Sequence, residues 1–363
     1  MRRSALVLLL LLVPATAVAG DEELLAARER YLPAVQLRYA NTPDGVQARY
    51  DAGRNLVEAV RAAGSVRPGL RRLRAELHDR GRSQVALAEA LDRATGFRSG
   101  ASLASRPGNG AGIGPHRPDR ALVRSLTAAA GRANGAVGIW VHELDTGRYA
   151  GHQADLQFAA ASTVKLGAIA AALRATPVPE RSRWWYDLRQ IGFWSSNLAA
   201  NRIAGELGYG AIGEGLRRLG MTSSTYPGPY RATTAWRPPG PHTRVTTARD
   251  LGRALYRLHA GAHGDLRALR LLGVTRRQAE AGLRVLASSQ PIADNRGLLR
   301  RWLTGSTLVE KNGWLSDTRT TAAIVYQGER TTVIVVELYR PGVTRSEAER
   351  LGRDVLRAAG LTR

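Results

Sequence analysis

The segments of this chain that read as β-strands lie far apart in the sequence, and their separation restricts the fold more than any other feature. Two such runs, residues 136–144 and 148–151, are joined by an Asp-Thr-Gly turn. Three more come near the end of the chain, at residues 307–310, 320–327 and 331–338. Helical periodicity dominates the long interval between the two groups. This order predicts an α/β (α+β) fold in which helices cover one sheet built from distant segments.

The helices predicted around that sheet share apolar residues at i, i+3 and i+4 spacing. They lie at residues 119–132, 166–173, 248–259, 276–288 and 346–359, with a further helical region ending at residue 219. The proline-rich residues 227–247 are expected to form a loop. Residues 119–363 therefore form the predicted main domain.

A small all-helical module is predicted before this domain, in residues 20–95. Its three helices are expected at residues 21–39, 46–63 and 68–94. A spacer, a partner-binding module and a dimerisation element all fit this pattern. Residues 96–118 are rich in Gly, Ser, Pro and Arg without apolar periodicity, which predicts a flexible linker.

Residues 1–19 have the charged, apolar and small-residue sections of a secretory signal peptide, with cleavage expected after Ala19. No later segment approaches the ~20 apolar residues of a membrane span. The mature protein is therefore expected to be secreted or extracytoplasmic. The sequence contains no cysteine, which excludes disulfides, thiolate chemistry and lipidation of a lipobox cysteine.

The formal net charge is +23, and two interpretations of it stay open. Arginine-rich codon usage would give a solvated basic surface without any partner. Alternatively, the charge attracts the chain to anionic cell-wall polymers. Nucleic acid is not an expected partner, because the aromatic content is 6% and no recognised binding motif is present.

The sequence contains only two lysines, Lys165 and Lys311. Arginine keeps its proton in a protein, whereas burial and a neighbouring cation can make a lysine amine neutral. Ser162 lies three residues before Lys165, which puts the hydroxyl and the amine on one helix face. The helix that follows has an N-terminus that favours an oxyanion. The pair predicts a serine nucleophile activated by lysine, with helix capping as the alternative role of Ser162.

Other chemistries find less support in the sequence. The seven histidines include no H-E-x-x-H motif, and a chain without cysteine offers few zinc ligands. Neither a G-x-S-x-G elbow nor a phosphate-binding loop is present. We therefore predict no metal and no cofactor.

Three short motifs together resemble class A β-lactamases and penicillin-binding proteins, whose signature set is S-x-x-K, S-D-N and K-T-G. They occur in that order as Ser162-Thr-Val-Lys165, Ser195-Ser-Asn197 and Lys311-Asn-Gly313. The second motif continues as Leu-Ala-Ala-Asn, as in the family. The resemblance covers residues 119–363 and implies an antiparallel sheet flanked by helices.

The resemblance also implies roles for the catalytic residues. Ser162 would be the acylated nucleophile, and Lys165 would take its proton. Ser195 would pass a proton to the leaving nitrogen, and Lys311 would assist that transfer and attract the substrate carboxylate. Asn197 would hold the side-chain amide of the substrate.

Four further positions match substrate-binding positions of the family. The backbone N–H groups of Ser162 and Trp314 would form the oxyanion hole. Arg319 would bind the substrate carboxylate with its guanidinium fork. Asn312 would donate from its amide in place of the family's hydroxyl, next to Gly313. The bulky side chain of Trp314 is expected to narrow the cleft.

The chain departs from the family most clearly in one loop. Class A β-lactamases place there a glutamate that activates the deacylating water, but no Asp or Glu occurs between Glu214 and Asp250. We therefore expect a serine hydrolase that acylates Ser162 with a β-lactam or a related acyl or peptide substrate and deacylates slowly. A D-Ala-D-Ala carboxypeptidase or transpeptidase acting on peptidoglycan peptides is one alternative. A non-catalytic protein that binds the cell wall or β-lactams is the other.

Overall fold

The structure is a computed structural model, and it describes residues 20–35, 43–94, 116–230, 244–289 and 295–362. The predicted signal peptide, residues 1–19, lies outside the described residues, as does all but the last part of the predicted linker. The chain divides into two compact units, Met1–Ala94 and Thr95–Arg363.

In residues 20–35 and 43–94, the described part of the first unit, three helices surround a small apolar core. They are α1 (Asp21–Val35), α2 (Pro43–Ala62) and α3 (Arg71–Ala94), with a 3₁₀ turn before α3. The core consists of leucine, valine and alanine side chains, namely Leu24, Ala27, Leu56, Val60, Ala63, Val66 and Leu77. Asp21, which is 1% exposed, accepts hydrogen bonds from the backbone and the side chain of Arg67.

The second unit is built on a six-stranded sheet. Its strands are β1 (Arg117–Pro118), β2 (Ala136–Glu143), β3 (Arg148–His152), β6 (Thr307–Trp314), β7 (Thr318–Gln327) and β8 (Arg330–Tyr339), in the order β1-β3-β2-β8-β7-β6. All neighbours are antiparallel except β1 and β3. A separate two-stranded sheet pairs β4 (Phe158–Ala159) with β5 (Val245–Thr246). The predicted α/β fold with an antiparallel sheet is therefore confirmed.

Two helical layers cover the sheet because both faces of its central strands are apolar. Helices α4 (Arg120–Gly131) and α12 (Arg345–Ala358) pack on one face. The other face is covered by a larger group: α5 (Lys165–Arg174), α6 (Trp185–Trp194), α7 (Asn197–Leu207), α8 (Tyr209–Leu219), α9 (Ala248–Ala262), α10 (Leu266–Leu272) and α11 (Arg276–Ala287). We call the face covered by this larger group the inner face.

The structure differs from the sequence-based expectations mainly in short elements. The two-residue strands β1, β4 and β5 and the seven-residue helix α10 were not predicted, because segments of two to seven residues show too little periodicity. Strand β6 continues four residues past residue 310, through Lys311 to Trp314. No helix among the described residues is long and apolar enough to cross a membrane.

Candidate active site

Ser162 lies in the tight turn that leads into α5. The preceding residue, Ala161, has φ 47°, a left-handed conformation that is uncommon for a residue with a side chain. The N–H of Lys165 donates to the carbonyl of Ser162 over 3.3 Å, so this turn runs directly into the helix. A strained backbone at this position is typical of residues held in place for a function.

Lys165 is the first residue of α5 and is completely buried. Its Nζ lies 3.1 Å from Ser162 Oγ and donates to Asn197 Oδ1 over 2.7 Å. It also donates to the carbonyl of Ser195. The amine of Lys165 can take the serine proton only when it is neutral, because only then does it have a lone pair.

Ser195 ends α6 in the left-handed conformation, with φ 61° and ψ 36°. Its hydroxyl accepts a hydrogen bond from Lys311 Nζ over 2.7 Å. Each of the two lysines therefore contacts one serine of a predicted motif, and Ser195 contacts both amines through its carbonyl and its hydroxyl.

Lys311 lies on β6 with its side chain on the inner face, and it is 1% exposed. Burial lowers the pKa of its amine to about 7, and the neighbouring charge of Glu310 opposes this shift. The amine also donates to the carbonyl of Asn312 over 2.8 Å. Near neutral pH this lysine can therefore exist in both protonation states.

Ser196 and Asn197 begin α7 and position its first turn. Ser196 is the N-cap residue, and its hydroxyl accepts from the N–H of Ala199 over 3.2 Å. A serine at this position suits a helix N-terminus as well as the family's aspartate does. The cap places Asn197 so that its Oδ1 reaches Lys165.

Asn312 is not placed as predicted. Its side chain lies on the face opposite Lys311, where its amide donates to Asn295 O over 2.8 Å and its Oδ1 accepts from Thr321 Oγ1 over 2.9 Å. Alternate residues of a strand point to opposite faces, so Lys311 and Asn312 cannot share one face. The amide of Asn295 in turn donates to Phe193 O over 2.6 Å, which joins β6 to the end of α6.

The side chains of Trp314 and Arg319 also lie on the face opposite Lys311. They are opposite each other in the register of β6 and β7, and the guanidinium stacks 4.7 Å from the indole centroid. Arg319 donates to the carbonyls of Thr318 and Val343. The structure therefore brings neither the indole nor the guanidinium to the lysines, and the expected narrowing of the cleft by the indole is corrected.

The backbone of Trp314 is better placed than its side chain. The N–H of Leu315 donates to Thr318 O, and bonded and non-bonded pairs alternate along antiparallel strands. The N–H of Trp314 therefore points away from β7, toward the open edge of the sheet. There the strand passes close to the nucleophile's turn, because a side chain at Gly313 would lie 3.0 Å from Ala160 O.

The loop after α8 contributes a residue whose position the sequence did not reveal. Tyr230 lies with its ring centroid 4.4 Å from Lys165 Nζ, and its hydroxyl donates to Ala161 O over 2.9 Å. Asn201 holds its backbone by two hydrogen bonds. The loop's lack of carboxylates was apparent from the sequence, but the contact of Tyr230 with Lys165 was not.

The described residues contain no group of three or more His, Asp or Glu side chains arranged to hold a metal ion. The site brings together two hydroxyls and two buried amines, Ser162 with Lys165 and Ser195 with Lys311. Such pairs suit transfer of an acyl group through a serine ester.

Three solved structures illustrate what the second unit is similar to. PBP-A aligns with a TM-score of 0.55 and 18% identity, over 69% of this chain and 99% of that chain. A β-lactamase from Sphaerobacter thermophilus DSM 20745 gives 0.53 and 22%, over 67% and 98%. A class A β-lactamase from Mycobacterium abscessus gives 0.51 and 20%, over 66% and 99%. A search of curated proteins found no match.

The similarity to these structures establishes the fold, and the sequence establishes the family. Fold and family together define a serine hydrolase of the β-lactamase type. A sequence model described as the beta-lactamase enzyme family matches residues 121–177 and 187–359, more than half of the chain. The chain belongs to this family.

Proposed function

We propose that this hydrolase forms an acyl-enzyme at Ser162 with a β-lactam or a related acyl or peptide substrate. The observation that carries the proposal is the contact of each buried lysine with a motif serine, at 3.1 Å for Lys165 and Ser162 and 2.7 Å for Lys311 and Ser195. The sequence uses arginine for all its other strongly basic side chains, so an amine stands at the two places where a proton must move.

In the acylation step, Oγ of Ser162 attacks the carbonyl carbon while the neutral amine of Lys165 takes the hydroxyl proton. The bond from that carbon to the leaving nitrogen breaks, and Ser195 delivers a proton to the nitrogen. Lys311 then supplies a new proton to the hydroxyl of Ser195 through the hydrogen bond between them. The outward N–H of Trp314 supports an oxyanion hole, in which one donor typically lowers the barrier by about 3 kcal/mol.

The substrate class follows from the charge at the site. Lys311, whose pKa is lowered to about 7, offers a positive charge below that pH, which favours a substrate with a carboxylate near the scissile bond. β-Lactams and peptides ending in D-alanine both have this feature. An acyl-enzyme complex with penicillin G has been described for a mutant of PBP-A, one of the structural relatives.

Slow deacylation is part of the proposal because no carboxylate is available in the loop near Lys165. Asp250 is the first acid after Glu214, and its Oδ2 accepts from Ser223 N and Ser224 Oγ, each over 2.8 Å. Asp250 is therefore used to anchor the start of the loop. The same observation favours a second candidate, a D-Ala-D-Ala carboxypeptidase or transpeptidase, for which fast hydrolysis of a β-lactam ester is not needed.

The test is the intact mass of the protein after incubation with benzylpenicillin, followed over time beside Ser162→Ala. An adduct that forms on the parent alone and persists is the expected result. An adduct that forms and clears within the mixing time would contradict slow deacylation. No adduct on the parent, with equally tight binding of the ligand to both proteins, would overturn the proposal in favour of a non-catalytic binder.

The second candidate has its own assay. Release of D-alanine from a peptide ending in D-Ala-D-Ala, dependent on Ser162, supports a carboxypeptidase. Transfer of the acyl group to an added amine supports a transpeptidase. Turnover of the β-lactam without either product supports the first candidate.

We also propose that the protein works outside the cytoplasm, near the cell wall. The charged, apolar and small-residue sections of residues 1–19 support export, and the net charge of +23 supports attraction to anionic wall polymers. Mass spectrometry of the exported protein should find Gly20 as its first residue. Retention on isolated cell walls should fall as the salt concentration rises, and retention that does not depend on salt would contradict the proposed electrostatic attraction to wall polymers.

A further inference from the structure

Tyr230 places an aromatic ring directly beside the base of the serine–lysine pair. The ring centroid is 4.4 Å from Lys165 Nζ, and the hydroxyl donates to the carbonyl of Ala161, the residue before Ser162. The side chain is buried, with 9% of its surface exposed. The ring therefore fills the space next to both the amine and the nucleophile's turn.

Several contacts hold this ring in one position. Asn201 accepts from the N–H of Tyr230 over 2.6 Å and donates to its carbonyl over 2.5 Å. The guanidinium of Arg244 lies 3.9 Å from the ring centroid, and Tyr226 packs against the ring edge-on at 5.5 Å. A side chain fixed at its backbone, its hydroxyl and one face of its ring is not displaced readily by a water molecule.

Hydrolysis of an ester at Ser162 needs a water molecule that touches both the acyl carbon and a base. The water oxygen would bond to that carbon, the carbon–Oγ bond would break, and one water proton would return to Oγ by way of Lys165. The products would be a carboxylic acid and the free serine. A ring packed against Lys165 Nζ occupies the approach to this base.

We propose that Tyr230 excludes hydrolytic water from the Lys165 side of the acyl-enzyme and thereby lengthens its lifetime. This inference rests on the proposed acylation of Ser162. It goes beyond the absence of a loop carboxylate, because it assigns the slow step to a specific side chain that occupies the water position. Tyr230 acts here as a positioning residue, since it shapes the access of water without forming a bond to the substrate.

Removal of the ring would create a site that water can enter. The space would be bordered by the amine of Lys165 and the carbonyl of Ala161, which gives water two polar partners. A buried water needs two to four such partners and about 30 Å³ of space. Water there would lie beside the base, in the place where hydrolysis requires it.

The experiment compares the decay of a preformed adduct in four full-length proteins: the parent, Tyr230→Ala, Tyr230→Phe and Tyr209→Ala. Tyr209 is the control, because it has the same side chain, is 38% exposed, and packs its ring against Tyr226 at 6.2 Å rather than against Tyr230. Each protein is acylated with benzylpenicillin, freed of excess reagent by rapid desalting and followed by intact mass. The acylation rate and the melting temperature are measured separately.

We expect the adduct on Tyr230→Ala to decay at least tenfold faster than on the parent, with release of the hydrolysed product. Tyr230→Phe keeps the ring and should keep the long lifetime, and the adduct on Tyr209→Ala should decay within about twofold of the parent rate. In ¹⁸O-water, the product released by Tyr230→Ala should carry one ¹⁸O atom from the solvent.

Equal lifetimes on the parent and on Tyr230→Ala would overturn the inference while leaving the acylation of Ser162 intact. Equal acceleration by Tyr209→Ala would also overturn it, because a general loosening of the aromatic packing would then be the cause. If Tyr230→Ala does not fold or acylate, Tyr230→Leu decides by the same decay measurement. A parent that never forms an adduct would refute the proposed function itself, which is a separate outcome.

Discussion

Lys311 and Ser195 are 116 positions apart in the sequence, yet the Nζ of one donates to the Oγ of the other over 2.7 Å. The contact joins the edge strand β6 to the residue that caps the C-terminus of α6. It depends on the left-handed backbone of Ser195, which turns the hydroxyl toward the sheet at the point where the helix ends. A two-part site assembled in this way depends on the packing of the whole second unit.

The pKa of Lys311 predicts the pH dependence of acylation. Burial lowers this pKa to about 7, so the Lys311 amine loses its proton and its charge as the pH rises through that value. The second-order rate constant for acylation by benzylpenicillin should therefore fall above about pH 7, since the attraction for the carboxylate is lost. Lys311→Arg should acylate more slowly, because a guanidinium cannot pass a proton to Ser195, and its alkaline limb should disappear, because the guanidinium stays charged. An unchanged limb in Lys311→Arg would assign the titration to another group.

Replacement of the other lysine should remove the base. Lys165→Arg keeps a long basic side chain, but a guanidinium cannot accept the proton of Ser162. We expect the acylation rate to fall by about 10²- to 10⁴-fold, the usual contribution of a general base. Stopped-flow measurement with a chromogenic β-lactam checks this, together with a melting curve that shows the variant is folded. Acylation at the parent rate would show that Lys165 is not the base.

Asn312 is expected to contribute to stability through its two buried hydrogen bonds. Asn312→Ala leaves the carbonyl of Asn295 and the hydroxyl of Thr321 without this partner, a loss that typically costs about 1 to 3 kcal/mol. Urea unfolding measures the change. Asn134→Ala is the control at an exposed position and should change stability by less than about 0.5 kcal/mol. An unchanged free energy of unfolding in Asn312→Ala would show that water can replace the two hydrogen bonds of Asn312.

Glu337 should make the protein less stable as the pH rises. It is fully buried on β8, and among the described residues neither carboxylate oxygen has a hydrogen-bond partner. Burial and the charge of Asp250 raise its pKa well above the ordinary 4.5. The folded state then holds a proton that the unfolded state releases, so stability is lost from about pH 4.5 upward, by at most about 1.4 kcal/mol per pH unit.

The matching variant is Glu337→Gln, which keeps the shape of the side chain and cannot ionise. Its free energy of unfolding should exceed that of the parent, by a margin that grows with pH. Urea unfolding at pH 5, 6, 7 and 8 measures this margin. Glu329→Gln, at an exposed position on the turn before β8, is the control and should show no such trend. A constant difference across the pH range would contradict a protonated Glu337.

The parts of the site that depend on neighbouring residues were predictable from the sequence. Ser162 and Lys165 are three positions apart at the start of a helix, so their contact follows from helix geometry. The α/β class was predictable for a similar reason, because the strand and helix periods of the long elements are local properties. The shortest elements were missed, since two residues such as those of β4 carry no period.

The parts that depend on register and packing were not predictable. The predicted strand ends at residue 310, whereas β6 continues to Trp314, so strand alternation puts Asn312 on the face opposite Lys311, and the turn from Leu315 to Thr318 decides where the pairing with β7 starts. The motif match alone placed the side chains of both Lys311 and Asn312 at the substrate. The position of Tyr230 depends on Asn201, 29 residues earlier, and no local pattern indicates that contact.

The burial of both lysines protects their amines in the folded protein from reagents that modify primary amines. Lys165 is 0% exposed and Lys311 1%, and no other lysine exists in the sequence. In the native state such a reagent meets the terminal amine alone, whereas the unfolded chain presents two further amines. The rate at which Lys165 and Lys311 become labelled therefore measures the opening of the second unit directly, without an engineered probe.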